Sequence, residues 1–180
     1  RSSIGAIASC TDIINNLYGY PTMQVQKAFV KIQEQALAQM ADPTLLPFAW
    51  NLLNDANLSY FAPHQQAELL RLRALCLDRM GNRPAAAEGF AAAAALSDAV
   101  PEIWHSWGAF IESYAASEAK QAATLASGSA KPAEVPEESL AEAIGCYLLG
   151  IARGSASARA MFPRIIRLLQ FRKPDSPLFA

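Results

Sequence analysis

Proline recurs along this chain directly behind turn residues, at Pro43, Pro63, Pro84, Pro101 and Pro136. Between those points the chain runs in segments of helical length. Proline is tolerated in the first turn of a helix, where its missing N–H has no partner to lose. Apolar residues within the segments recur at helical spacing. Val25, Phe29, Ile32, Ala36 and Met40 form one stripe, and Ile4, Ile7, Ala8, Ile13, Ile14 and Leu17 form another further upstream. No Val/Ile/Thr alternation bounded by turns appears, so strands are not expected.

The segmentation predicts helices over about 4–17, 23–40, 43–54, 63–80, 84–96, 101–119, 137–153 and 157–171. Gly81-Asn82 stops the fourth of these in the manner of a glycine C-cap. Glu137-Glu138 places acid at a helix N-terminus, where it complements the dipole. Residues 120–136 are rich in Ala, Ser, Gly and Pro and read as a flexible loop. Residues 173–180 read as a linker. The fold class is therefore all-α.

Composition narrows the function classes. The chain has 180 residues, 52% of them hydrophobic and 17% charged, with a net charge of −1. That is enough apolar material for a core, and it lacks the basic excess of a nucleic-acid module. Alanine makes up roughly a fifth of the chain, well above ordinary usage, and favours helix. Three cysteines, Cys10, Cys76 and Cys146, lie too far apart for a CxxC zinc or redox motif. The first residues carry no secretory signal, and the most apolar run, residues 85–100, is too short and too interrupted to span a membrane.

Helix pairs invite a test for repeats. With Gly81 as the turn of a hairpin, Leu70 takes the large position of the tetratricopeptide (TPR) pattern, Ala74 the small position and Leu77 the next apolar one. Ala86-x3-Phe90 matches the A-x3-F element of the second helix. One period of about 34 residues further on, Trp104 and Gly108 supply the large and small residues. The second A-x3-F arrives late, as Ala143-x3-Tyr147, with residues 120–136 as the natural insertion. Small residues are needed where helix backbones approach closely. Leu70, Ala74, Leu77, Phe90, Trp104, Gly108 and Tyr147 are thus the expected repeat core. Arg73 departs from the pattern, which wants Leu there, and Asp98 stands where it wants Pro. The expected architecture is a TPR-like α-solenoid of stacked antiparallel helix pairs over residues 1–172, an irregular helical bundle being the plainer reading.

Chemistry-bearing patterns are absent from the sequence. His64 and His105 are the only histidines, with no partners at zinc-ligand spacing. There is no GxSxG turn, phosphate-cradling glycine loop or kinase signature. No catalytic, cofactor-binding or metal residue is expected. The C-terminal quarter is locally basic; Arg164, Arg167 and Arg172 are candidates for docking an acidic partner, although a solvated face explains them better. Trp104, Trp107 and Phe110 invite an aromatic-box reading, which packing explains better at Trp104.

Several runs carry a family likeness. Asn57-Leu58-Ser59-Tyr60-Phe61, followed by a helix, Gly81-Asn82 and Ala87-Glu88-Gly89-Phe90, resembles the FAT region of phosphatidylinositol-3-kinase-related kinases. Trp104-His105-Ser106-Trp107-Gly108 is similar to the tryptophan motif of that region. Residues 143–148 and 162–171 resemble the repeat helices that follow it. The Asn-Leu-x-Tyr-Phe run and the Leu168-Leu169-Gln170-Phe171 ending resemble the TRRAP-type, pseudokinase branch, as do residues 17–21 and 25–29. The likeness extends over residues 17–171. It implies a non-catalytic scaffold segment of a very large nuclear coactivator subunit. The implied partners are other subunits of SAGA- and NuA-type histone acetyltransferase complexes, transcription activators and the remainder of the parent chain, without direct nucleic-acid or membrane contact and without a cofactor. The alternatives are the FAT region of an active Ser/Thr kinase of the same family, or a free-standing TPR-like peptide-binding module.

Overall fold

A computed structural model of the chain describes residues 22–96, 100–125 and 136–170, with the side chains of residues 123 and 125 left aside. The described residues form seven α-helices and no strand. They are α1 (Met23–Met40), α2 (Leu46–Asp55), α3 (Pro63–Arg79), α4 (Arg83–Leu96), α5 (Glu102–Leu125), α6 (Glu137–Ala152) and α7 (Ala158–Gln170). Short 3-10 turns at Pro43–Leu45 and Leu58–Tyr60 lead into α2 and towards α3. The fold is all-α, and within each of two compact units consecutive helices pack as neighbours, as in an α-solenoid. The chain divides into two compact units, Arg1–Val100 and Pro101–Ala180.

In the first unit, α1, α2 and α3 enclose a core of Ala36, Met40, Ala49, Leu53, Phe61, Leu69, Leu72 and Cys76. Val25, Phe29 and Ile32 pack against it, so the stripe read from the sequence is the inner face of α1. Phe29 and Phe61 meet as tilted rings with centroids 6.4 Å apart. Helix α1 begins at an N-cap, Thr22, whose hydroxyl accepts from the Val25 amide at 3.3 Å. Helices α3 and α4 form the tightest pair of this unit. Gly81 turns between them at φ +82°, a left-handed conformation that glycine adopts without strain. The Gly81 amide donates to Asp78 O and the Asn82 amide to Leu77 O, both at 2.9 Å, which is a Schellman closure. A methyl placed on Gly89 of α4 would lie 3.0 Å from Ala74 Cβ on α3, so the two backbones approach closely there.

In the second unit, α5 packs on α6 and α6 on α7. Its interior holds Ile103, Phe110, Ile111, Leu140, Ala143, Ile144, Tyr147, Met161, Ile165 and Leu168. Gly154 repeats the Gly81 device at φ +78°: its amide donates to Ile151 O and the Ser155 amide to Gly150 O, each at 3.0 Å. Helix α5, expected to end near residue 119, continues to Leu125. Residues 120–125 contain no Gly or Pro to stop it. Residues 126–135 of the expected loop, the expected 4–17 helix and the 173–180 linker lie outside the described residues.

Candidate functional site

The tryptophan motif lies on α5, and its spacing decides what each member meets. Gly108 fits beneath Tyr147 of α6: a Cβ there would come within 2.8 Å of Tyr147 Cε1 and 3.2 Å of the Ala143 carbonyl. One turn earlier, Trp104 packs beside Gly150, whose Cβ position is 3.4 Å from Trp104 Cβ and 2.8 Å from Met161 Cε. Trp104 stacks on Trp107, with centroids 5.7 Å apart and planes 19° apart. The Arg153 guanidinium lies 5.2 Å from the Trp104 ring centre, within cation–π range. The indole N–H of Trp104 is buried without a hydrogen-bond acceptor. His105 tilts against the Tyr147 ring at 6.2 Å.

Tyr147 is fully buried around its ring, yet its hydroxyl reaches a polar cluster. The hydroxyl donates to Glu112 Oε2 at 2.9 Å and accepts from Arg164 Nη1 at 2.9 Å. Arg164 also lies 3.6 Å from Glu112 Oε2, and Arg167 pairs with Glu112 Oε1. One carboxylate on α5 thus binds two arginines of α7 and the tyrosine of α6, joining all three helices. Burial pushes the Tyr147 phenol up from its ordinary range, with Arg164 opposing.

A second carboxylate fastens the turn between α6 and α7. Glu102 Oε1 accepts from the Ser155 hydroxyl at 2.8 Å and the Ala156 amide at 3.0 Å, and Oε2 accepts from the Ser157 hydroxyl at 3.0 Å. Burial raises the carboxyl, but these donors and nearby His105 outweigh it and hold Glu102 below its ordinary range.

In the first unit, arginines of α3 close the C-termini of the preceding helices. Arg73 donates from Nε to Leu53 O at 2.9 Å and from Nη2 to Asn54 O and Ala56 O at 3.3 and 2.9 Å. Arg79 donates to Met40 O at 2.6 Å. These are the carbonyls a helix end leaves without intrahelical partners, at the negative end of the dipole. Buried Glu68 is gripped by Arg71 through Nε at 2.7 Å and Nη2 at 2.6 Å, and accepts from Gln33 at 3.0 Å. Fully buried Gln65 accepts from the Ala62 amide at 3.1 Å and donates to Gln26 at 2.7 Å.

Of the residues singled out from the sequence, Ala74, Phe90, Gly108 and Tyr147 are buried, whereas Leu70, Leu77 and Trp104 are half-buried. Ala74 meets Gly89, and Gly108 meets Tyr147. Arg164 and Arg167 converge on Glu112; Arg172 lies outside the described residues. His64 is exposed at the start of α3. Sequence reasoning missed Glu112, Glu102 and the capping role of Arg73. The departure of Arg73 from the repeat pattern was the available signal: a cation replaces the expected Leu at a position that faces a helix end. Among the described residues, no group of three or more His, Cys, Asp or Glu could hold a metal ion, and no helix is long and apolar enough to cross a membrane. Both described thiols are buried. Burial and Glu142 push Cys146 up to about 12, and burial raises Cys76 against the opposing charge of Arg79.

Among the described residues, these polar surfaces are joints between helices. The FAT domain family model matches residues 13–167. The chain is 28% identical over 101 residues, 56% of its length, to the SAGA complex/NuA4 acetyltransferase complex subunit Tra1 of Schizosaccharomyces pombe. The same figures hold for the corresponding subunit TRA1 of Saccharomyces cerevisiae. It is 25% identical over 113 residues, 60% of its length, to the transformation/transcription domain-associated protein of Homo sapiens. The chain spans about 3% of the length of these relatives. The chain belongs to the FAT domain family, as a FAT region of the branch that contains Tra1 and the transformation/transcription domain-associated proteins.

Proposed function

We propose that this chain is a non-catalytic helical scaffold segment of a coactivator subunit of SAGA- and NuA4-type histone acetyltransferase complexes, acting in the nucleus. The observation that carries the reading is the FAT match over residues 13–167, together with relatives that are themselves subunits of such complexes. The internal chemistry supports it. Glu112, Glu102, Glu68, Arg73 and Arg79 are engaged in fastening helices to one another, which is what a scaffold requires of its polar groups. Leu70, Ala74, Leu77, Phe90, Trp104, Gly108 and Tyr147 act as the repeat core that sets helix spacing. Arg164 and Arg167 serve mainly as internal ties, leaving their outer edges to a partner. The partners are other subunits of the complex, transcription activators and the remainder of the parent chain.

The test is affinity purification of the tagged full-length protein from nuclear extract, with mass spectrometry of what accompanies it. Acetyltransferase-complex subunits should co-purify in fixed ratio. Their absence from a soluble, intact preparation would overturn the reading. Phosphotransfer to a Ser/Thr substrate by the same preparation, lost on substitution within the parent's own kinase-like domain, would favour an active kinase instead.

A further inference from the structure

Helix α7 packs inward through Met161, Ile165 and Leu168. At about 3.6 residues per turn, the rest of its circumference runs from Phe162 and Ile166, across Arg159 and Pro163, to Arg167 and Arg164. All of these are exposed except Arg164, which is half-buried. Phe162 and Ile166 are 53% and 57% exposed and stand one turn apart, so they form a paired apolar spot rather than scattered single residues. A surface helix is expected to carry one apolar stripe and a polar opposite face.

The charge beside that spot is unbalanced. Helix α7 holds three arginines, Arg159, Arg164 and Arg167, and no acidic residue. Arg164 and Arg167 share one carboxylate, Glu112, and that pairing uses Nη1 of the first and Nη2 of the second. Their side chains remain 40% and 55% exposed. A guanidinium carries its N–H donors in a planar fork that matches carboxylate geometry, so donors remain on both arginines that Glu112 does not engage. Cations alone would suit a nucleic acid as well. Phe162 and Ile166, set beside them, call for an apolar side chain next to the acid, which a peptide supplies. We propose that this face of α7 docks an acidic peptide segment of a partner protein, with carboxylates on Arg159, Arg164 and Arg167 and an apolar anchor on Phe162 and Ile166. The inference deepens the partner-facing role given above to Arg164 and Arg167 and rests on that reading.

Fluorescence anisotropy with the full-length protein tests it. The probe is a fluorescein-labelled peptide, Glu-Glu-Asp-Leu-Phe between Gly-Ser spacers. It should bind saturably, and its affinity should fall several-fold as salt is raised. Two controls, Gln-Gln-Asn-Leu-Phe and Glu-Glu-Asp-Ser-Ser in the same spacers, should each bind several-fold more weakly. Arg159→Glu and Ile166→Ser should each weaken the probe several-fold. Both positions are exposed, and Arg159 lies in the first turn of α7, where an acid suits the helix dipole, so melting should be unchanged. No saturable binding, equal binding of either control, or an affinity indifferent to both substitutions would overturn the docking surface. A DNA duplex that binds more tightly than the probe and displaces it would overturn the choice of ligand. Co-purification of coactivator subunits is read independently: subunits retained without peptide binding would fault this surface and leave the coactivator reading standing.

Discussion

A methyl group added at position 108 would lie 2.8 Å from Cε1 of Tyr147, a buried ring held at its hydroxyl by Glu112 and Arg164. The same addition at Gly150 would also meet an atom at 2.8 Å, but that atom is Cε of Met161, the free end of a flexible side chain. Overpacking against a fixed group costs about 1–3 kcal/mol, whereas replacing a mid-helix Gly by Ala gains about 0.5–1 kcal/mol where space can be made. Gly108→Ala should therefore lower the melting temperature clearly, and Gly150→Ala should leave it nearly unchanged. A larger loss from Gly150→Ala in parallel thermal scans would contradict this account of the joint. Trp104 is half-buried, so Trp104→Ala should cost less than the about 3–5 kcal/mol of a fully buried Trp. The Trp-x-x-Trp-Gly spacing was visible in the sequence. That Gly108 answers to Tyr147, far along the chain, was not, because a glycine in a helix looks the same whatever lies over it.

At the scale of elements, the structure turns on how helix ends are closed. Arg73 binds three carbonyls at the C-terminal end of α2. Arg73→Met keeps much of the apolar stem and removes the donors, leaving carbonyls at a helix end without them. The expected loss is about 1–3 kcal/mol, and Arg73→Lys should recover only part of it because an ammonium cannot span three acceptors as a guanidinium does. Equal melting of Arg73→Met and the parent protein would remove the cap from the account. Glu102 makes a pH-dependent closure of the α6–α7 turn. Its folded-state carboxyl ionises below its unfolded value of about 4.5. Its contribution is therefore complete above that value and disappears as pH falls through the lower, folded-state value. Glu102→Gln should flatten this part of the acid branch of the stability curve while changing little in its slope near pH 7, as urea titrations at several pH values would register. The helix boundaries were legible because Pro and Gly mark them, and Gly81 did so plainly. The partners of the caps were not, since a side chain that closes another helix leaves no local signature.

At the scale of the molecule, each compact unit carries a native probe of its own opening. Cys76 lies in the core of the first unit and Cys146 in the second. Both thiols are pushed up by burial, so both stay protonated and shielded near neutral pH, and the thiolate is the reactive form. Labelling of either by a maleimide at pH 7.5 should be slower than at a free thiol by orders of magnitude and should rise with urea. Leu53→Ala, a deletion inside the first core, should accelerate labelling at Cys76. Rapid labelling of both in native buffer would show that neither site is the interior described. Co-purification of coactivator subunits with the full-length protein belongs to this scale as well.

The sequence by itself determined the class: periodic apolar residues between proline and glycine punctuation leave a chain no economical alternative to short paired helices. It also carried the family, through the order of short motifs. Tertiary structure alone decided which of the polar residues fasten the pairs. Glu112, Glu102 and Arg73 bind groups that lie between 17 and 55 positions away. Such pairings depend on how helices are juxtaposed, and local periodicity, which extends over a few turns, contains no information about them.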